Sequence, residues 1–265
     1  MNESLSRPVI EMRGVSVGAM RAPTLTVLEN VDWTVAPGEF WIVAGPPQSG
    51  KSDLLMLAAG LMPPQTGCVR WWGAETPEAD ETTRRRVGLV FEGGQLFNQL
   101  TIAENIALPL RYHHNLTADA ALAAVKPLLE GMELTPLADV VPPHVAANWR
   151  VRAALARALA LQPDLLLLDN PLTGLGARHR HWWRRFLDQL GRGHEWLGGR
   201  PLTMVLTTDD LSRLADWDHT GRRFAVLRDK QFIPLGSWRE VETSADPAVK
   251  ELLAETEEQV KASSW

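Results

Sequence analysis

The 265 residues hold a single cysteine, Cys68. No intrachain disulfide is possible, and zinc held by thiolates is not expected. Tyrosine is almost missing as well, one residue, whereas tryptophan numbers eleven. No apolar run approaches the ~18–20 residues that span a bilayer. Basic residues do not outnumber acids, 27 against 32 for a formal net charge of −5. A global positive field to hold nucleic acid or an anionic membrane is therefore excluded. The opening MNESLSRPVIEMRG is polar and acid-bearing, without the apolar core of a secretory leader. These absences lead to the expectation of a soluble chain in a reducing, cytoplasmic compartment.

What is present is an ordinary globular balance, 45% hydrophobic and 22% charged residues, which excludes wholesale disorder. Val9–Ser16, Val27–Val35, Phe40–Ala44, Cys68–Trp72 and Val87–Phe91 read as strands. Leu165–Leu168, apolar throughout, reads as a central parallel strand. Thr203–Thr207 and Phe224–Arg228 follow as strands. Helices are expected at Lys51–Ala59, closed by Gly60, at Ala177–Leu190 and at Asp246–Lys261. From Thr101 to Ala160 the pattern is mostly helical, with breaks expected at Pro109, Gly131, Pro136 and Pro142-Pro143. Strand and helix in this alternation mean an α/β fold with a largely parallel sheet. A helical subdomain is expected at about 95–162, within a domain of 1–240, followed by a helical tail of 241–265.

Gly45-Pro46-Pro47-Gln48-Ser49-Gly50-Lys51-Ser52 fits G-x-x-x-x-G-K-S between a strand and a helix, the context that gives this phosphate-loop pattern meaning. Glycines let backbone N–H groups and the helix N-terminus turn toward a phosphate. Lys51 would reach the terminal phosphates and Ser52 would hold Mg²⁺. Asp169, which ends the Leu165–Leu168 strand, is the second metal-site candidate.

At these residues the chain resembles an ABC transporter nucleotide-binding subunit. The resemblance runs in order through VDWTVAPG at 31–38, the phosphate loop, VGLVF at 87–91, AALARALA at 153–160, PDLLLLDNP at 163–171 and TMVLTTDDL at 203–211. A narrower likeness, in GQLFNQLTIAENIALPLR at 94–111 and DPAVKELL at 246–253, is to the ATPases of MCE-associated, Mla-type lipid transporters. The resemblance implies a RecA-like core, an antiparallel β-subdomain, and a helical subdomain that meets an integral membrane permease through about residues 92–110. It implies ATP and Mg²⁺ as ligands, a second nucleotide-binding subunit in a dimer, MCE and accessory proteins as further partners, and a peripheral place on the cytoplasmic membrane face.

The chemistry-bearing positions depart from that family. Asn170 stands where the family carries the glutamate after the Walker B aspartate. An amide orients water but accepts no proton at neutral pH, and losing a general base costs about 10²–10⁴ in rate. Thr208 replaces the switch histidine, Glu92 the Q-loop glutamine, and Gly176 the D-loop aspartate. Glu92 still offers a carboxylate for Mg²⁺. Val145-Ala146-Ala147-Asn148-Trp149 occupies the LSGGQ slot. Ala146 has no hydroxyl, Ala147 and Asn148 place side chains where backbone should approach a phosphate, and Trp149 is bulkier than glutamine. The segment 15–21 lacks an aromatic for adenine. Asp53, in place of threonine, would repel a phosphate or itself sit in the anion site.

The reading that follows is a subunit with an intact phosphate loop and impaired hydrolysis, working beside a competent partner. The alternatives are a competent ABC ATPase and a soluble ABC-type regulatory or structural module. Other features have plainer readings. Arg84–Arg86 suggests a solvated basic turn, His113-His114 and His179/His181 surface histidines, and Trp71-Trp72 and Trp182-Trp183 core packing. Trp149 is expected to pack at a silent dimer interface.

Overall fold

The computed structural model describes residues 7–75 and 81–254, which cluster into two compact units. The first comprises residues up to 58, 62–77 and everything from 205 onward; the second comprises 59–61 and 78–204.

In the first unit, β1 (Ile10–Ala19) and β2 (Ala22–Val35) form a long antiparallel hairpin. β4 (Thr66–Trp71) and β5 (Ala74–Glu75) extend it to a four-stranded sheet ordered β2-β1-β4-β5. This is the antiparallel sheet that the resemblance implies. The hairpin extends beyond its apolar stretch: Ala22–Leu25 are exposed, and Ala22 pairs with Ala19 across the turn. β3 (Phe40–Ala44) is buried at every residue and runs parallel to β9 (Arg222–Arg228). β10 (Gln231–Gly236) closes antiparallel on β9. The order in this mixed sheet is β10-β9-β3-β8, where β8 is Thr203–Thr208. Neither β10 nor the short α8 (Trp238–Glu242) is evident in the hydrophobic pattern; β10 alternates half-buried and exposed residues.

α1 (Lys51–Ala58) leaves the phosphate loop. The indole of Trp71 caps its end, donating to the Ala58 carbonyl at 2.8 Å. Trp33 meets Trp41 edge-on at 5.8 Å and Phe232 at 5.3 Å, so two of the eleven tryptophans pack together at β3. Trp72 adopts φ +49 and leaves the strand after Trp71. α9 (Pro247–Leu253) is capped by Asp246, and Ala254 turns extended. The expected helix thus ends at Leu253, and its remaining residues from 255 onward lie outside the described ones.

In the second unit, β6 (Val87–Val90) and β7 (Leu165–Leu168) are parallel and in register. α2 (Glu81–Arg85) takes in Arg84 and Arg85, while Arg86 forms the turn that follows and pairs with Asp164 at 2.7 Å. α3 (Ile102–His114) begins with a capping box between Thr101 and Glu104 and runs through Pro109 without breaking. The box and the burial of Ile102, Ile106 and Leu110 outweigh the one backbone bond that proline forfeits. α4 (Ala118–Ala124) and α5 (Lys126–Gly131) follow. α6 (Ala147–Leu159) buries its alanines 153, 154 and 156, and α7 (Ala177–Arg192) completes the unit.

Candidate functional site

The phosphate loop joins β3 to α1. Gly50 sits at φ +90 and Gln48 at φ +66. A side chain on Gly45 would come within 2.5 Å of Ser49 Oγ and 3.0 Å of the Leu227 carbonyl, so only glycine lets the loop curl there. The Gly45 N–H donates to the Thr208 carbonyl at 3.1 Å. Lys51 is 8% exposed and folds back, its Nζ donating to the Gly45 and Pro46 carbonyls at 2.7 and 2.8 Å. Ser49 Oγ is buried without a hydrogen-bond partner among the described residues. A buried hydroxyl left without a hydrogen bond costs free energy, and this one stands in the middle of the phosphate-loop sequence. These are residues that fit a nucleotide phosphate. Ser52, exposed in the first turn of α1, is the oxygen that would join Mg²⁺, a hard cation that takes oxygen donors.

Asp53 is engaged within the chain. Its Oδ1 accepts the Met20 backbone N–H at 2.7 Å and ties α1 to the β1–β2 turn. Met20 itself is 51% exposed at that turn. Thr208 is buried and spends its hydroxyl locally: Oγ1 donates to the Asp210 carbonyl at 2.9 Å and accepts the Asp210 N–H at 3.1 Å. It faces its own turn and reaches no further.

In the second unit, Asp169 and Asn170 follow β7, and Glu92 follows β6. Asp169 and Asn170 are 6% and 8% exposed. The carboxylates of Asp169 and Glu92 are the donor chemistry that Mg²⁺ prefers. Asn170 Nδ2 donates to Glu92 Oε1 at 3.5 Å. Gly174 and Gly176 have open space where a Cβ would stand.

The LSGGQ slot starts α6 earlier than the sequence suggests, at Ala147, with Ala146 as an N-cap that offers no side-chain acceptor. Behind it lies a cluster that the sequence did not reveal. The Arg152 side chain is 2% exposed. Its guanidinium lies 3.7 Å from the Trp182 ring centroid and 4.4 Å from that of Trp149, a double cation–π contact. It donates to Glu133 Oε2 at 2.9 Å, to the Met132 carbonyl at 3.3 Å and to His179 Nδ1 at 3.3 Å. Arg152 Nε is buried without a hydrogen-bond partner among the described residues, and burial pulls the guanidinium pKa down.

A guanidinium only donates, so His179 Nδ1 accepts and the ring proton resides on Nε2. The Asn148 amide lies 2.6 Å from that Nε2. Its oxygen must be the atom facing the ring, since amide orientation is assigned from the network. Trp149 meets His179 edge-on at 5.4 Å. Trp149 and His179, each half-buried, therefore contact one another and Arg152 within this chain. Trp183 is fully buried. Among the described residues no group of three or more His, Cys, Asp or Glu could hold a metal by itself, and no helix is long and apolar enough to cross a membrane.

Comparison with known proteins places these features in context. A family model described as ABC transporter matches residues 28–173. The intermembrane phospholipid transport system ATP-binding protein MlaF of Escherichia coli K12 is 30% identical over 258 residues, spanning 96% of this chain and 91% of that protein. The sulfate/thiosulfate import ATP-binding protein CysA of Synechococcus elongatus is 41% identical over 170 residues, 62% of this chain and 48% of that protein. The dimeric ATP-binding cassette MJ0796, in a post-hydrolysis state bound to ADP and Pi, matches with a TM-score of 0.72 at 27% identity. That match covers 84% of this chain and 96% of the other.

Proposed function

The chain belongs to the ABC transporter family of ATP-binding subunits, and from that premise we propose a finer role: a nucleotide-binding subunit with impaired hydrolysis, in an MCE/Mla-type lipid transporter. The observation that carries this reading is a contrast. The phosphate loop keeps a buried, unsatisfied Ser49 hydroxyl and a buried lysine. The signature slot instead packs Trp149 onto Arg152 and offers no hydroxyl at Ala146.

Gly45–Ser52 would bind ATP with Mg²⁺, and Ser52, Glu92 and Asp169 are the residues whose oxygens suit that cation. Mg²⁺ would neutralise phosphate charge. Family cassettes pair so that each nucleotide meets one chain's loop and the other's signature. A homodimer of this chain would therefore lack the glutamate, the switch histidine and the signature serine at both sites. Beside a competent subunit it would supply one loop and one silent signature. The membrane permease would be received by the segment from Glu92 to Leu110, on the cytoplasmic face. Support for lipid cargo is the full-length likeness to MlaF; the likeness to CysA favours a second reading in which the cargo is a small anion.

The test is ATP turnover by the purified chain, alone and in its membrane complex, with bound lipid identified by mass spectrometry. Robust hydrolysis by the isolated chain, lost in Lys51→Ala, would sink the impaired-subunit reading. Co-purification of a sulfate-type permease would sink the lipid one.

A further inference from the structure

β6 and β7 are parallel neighbours with Val90 opposite Leu168, and the Asp169 N–H donates to the Val90 carbonyl at 2.8 Å. Counting two residues onward from that last register pair reaches Glu92 on one strand and Asn170 on the other. The two stand at equivalent levels beyond the carboxyl ends of adjacent strands, the place where parallel sheets bind ligands. Both are held there. Gly94 closes a turn by donating to the Phe91 carbonyl at 2.9 Å. A side chain on it would strike the Arg150 carbonyl at 2.8 Å, so the turn carrying Glu92 lies against α6. Arg157 grips the Gly94 and Gln95 carbonyls at 3.4 and 3.2 Å. On the other strand, Asn170 sits at φ +47, a conformation asparagine tolerates better than glutamate. Its amide then donates to Glu92.

The family pattern puts an amide at the end of β6 and a carboxylate at the end of β7. Here the same two groups are present with their places reversed, and they touch. We propose that positions 92 and 170 are an exchanged pair: Glu92, steered by the Asn170 amide, carries the one negative charge that the pair presents to a Mg²⁺ ion. The pair keeps a total charge of −1 and moves it from one strand end to the other. This rests on the nucleotide-binding reading above.

The pair makes single changes worse than the double one. Asn170→Glu sets two carboxylates against each other beside a phosphate site, and like charges that close disfavour ionisation and binding. Glu92→Gln leaves two amides and no charge. Glu92→Gln with Asn170→Glu returns the charge to −1. The experiment titrates the full chain and these three variants with trinitrophenyl-ATP, in Mg²⁺ and in EDTA. Each single variant is expected to weaken Mg²⁺-dependent affinity about tenfold, with the double variant within about threefold of the parent, as coupled neighbours behave. A second set, Asn170→Asp with Glu92→Asn, covers the case in which Glu at φ +47 prevents folding; thermal melting reports that. Two unchanged single variants, or a double variant as weak as the product of the singles, overturns the exchange and leaves the nucleotide reading standing. No Mg²⁺-dependent binding by the parent chain overturns both.

Discussion

The phosphate loop and the start of α6 are built from the same elements, a loop of small residues that delivers a helix N-terminus, yet they end in opposite chemical states. At the loop, polar capacity is left over: Ser49 Oγ has no partner among the described residues, and Lys51 rests on two carbonyls of its own loop. At α6, most capacity is used within the chain, with Arg152 Nε the buried atom left over. The Asn148 amide goes to His179, and Arg152 is enclosed by two indoles, Glu133 and His179. A ligand site stays unsatisfied until the ligand arrives. On the function proposed above, the loop is the phosphate site and the start of α6 is a former contact turned mostly into packing.

The sharpest way to break this contrast is at the loop. Lys51→Ala should lower ATP-analogue affinity about 10–100-fold, the worth of a lost charge-assisted hydrogen bond, with little change in melting temperature. Unchanged affinity would mean that the loop is only a turn.

At α6 the expected effect falls on stability. Arg152→Ala removes a buried cation from between two indoles and should cost about 3 kcal/mol in urea unfolding. Arg152→Met fills the same space without charge. Because Glu133 is 54% exposed, its carboxylate can return to water, and this variant should stay within about 1 kcal/mol of the parent. Nucleotide affinity at the loop should follow neither change. If Arg152→Met instead weakens ATP-analogue binding, the cluster serves the ligand and the contrast collapses. Trp149→Gln restores the family side chain at one position. It should cost about 1 kcal/mol through the lost cation–π contact and give no gain in turnover, since Ala146 still has no hydroxyl. A gain in turnover would show that the tryptophan alone silences the slot.

How far the sequence discloses each region follows from the range of its interactions. The loop is local: a buried strand, eight residues and a helix, all visible in order, and the structure places them as read. β3, β7 and α1 announce themselves through unbroken apolar runs. Pro109 misleads because a capping box and buried neighbours outweigh one missing N–H. The Arg152 cluster joins residues 133, 149, 152, 179 and 182, drawn from three separate segments. No spacing rule connects Glu133 to Trp182. Its one legible sign was a tryptophan where a small or polar side chain belonged, and that sign did not say that the ring meets His179 of the same chain. Asp53 adds a contact that its charge did not suggest, accepting the Met20 N–H.

The smallest expected effect isolates His179. Burial, then the positive charges of Arg152 on α6 and Arg178 on its own helix, hold its pKa below the ordinary 6.5, against a weaker opposite pull from Glu133. Asn148 and Trp149 face the ring without charge. A depressed histidine pKa means that the unfolded chain takes up the proton first. Above pH 6.5 the ring is neutral in both states and contributes no pH dependence. As pH falls below that value the unfolded chain binds more protons, so stability declines until the folded pKa is also passed. Asp164 acts in a lower window. Arg86 and Arg200 overcome its burial and hold its pKa below 3.8, so its contribution is present above that value and fades beneath it. Urea unfolding at about pH 7.5 and about pH 5.5 therefore separates the two groups. The parent should lose stability over this interval, and His179→Gln should lose less, because glutamine has no proton to gain. Parallel losses in the two proteins would mean that His179 stays solvated when folded, and that the α6 cluster is looser than the phosphate loop it is contrasted with.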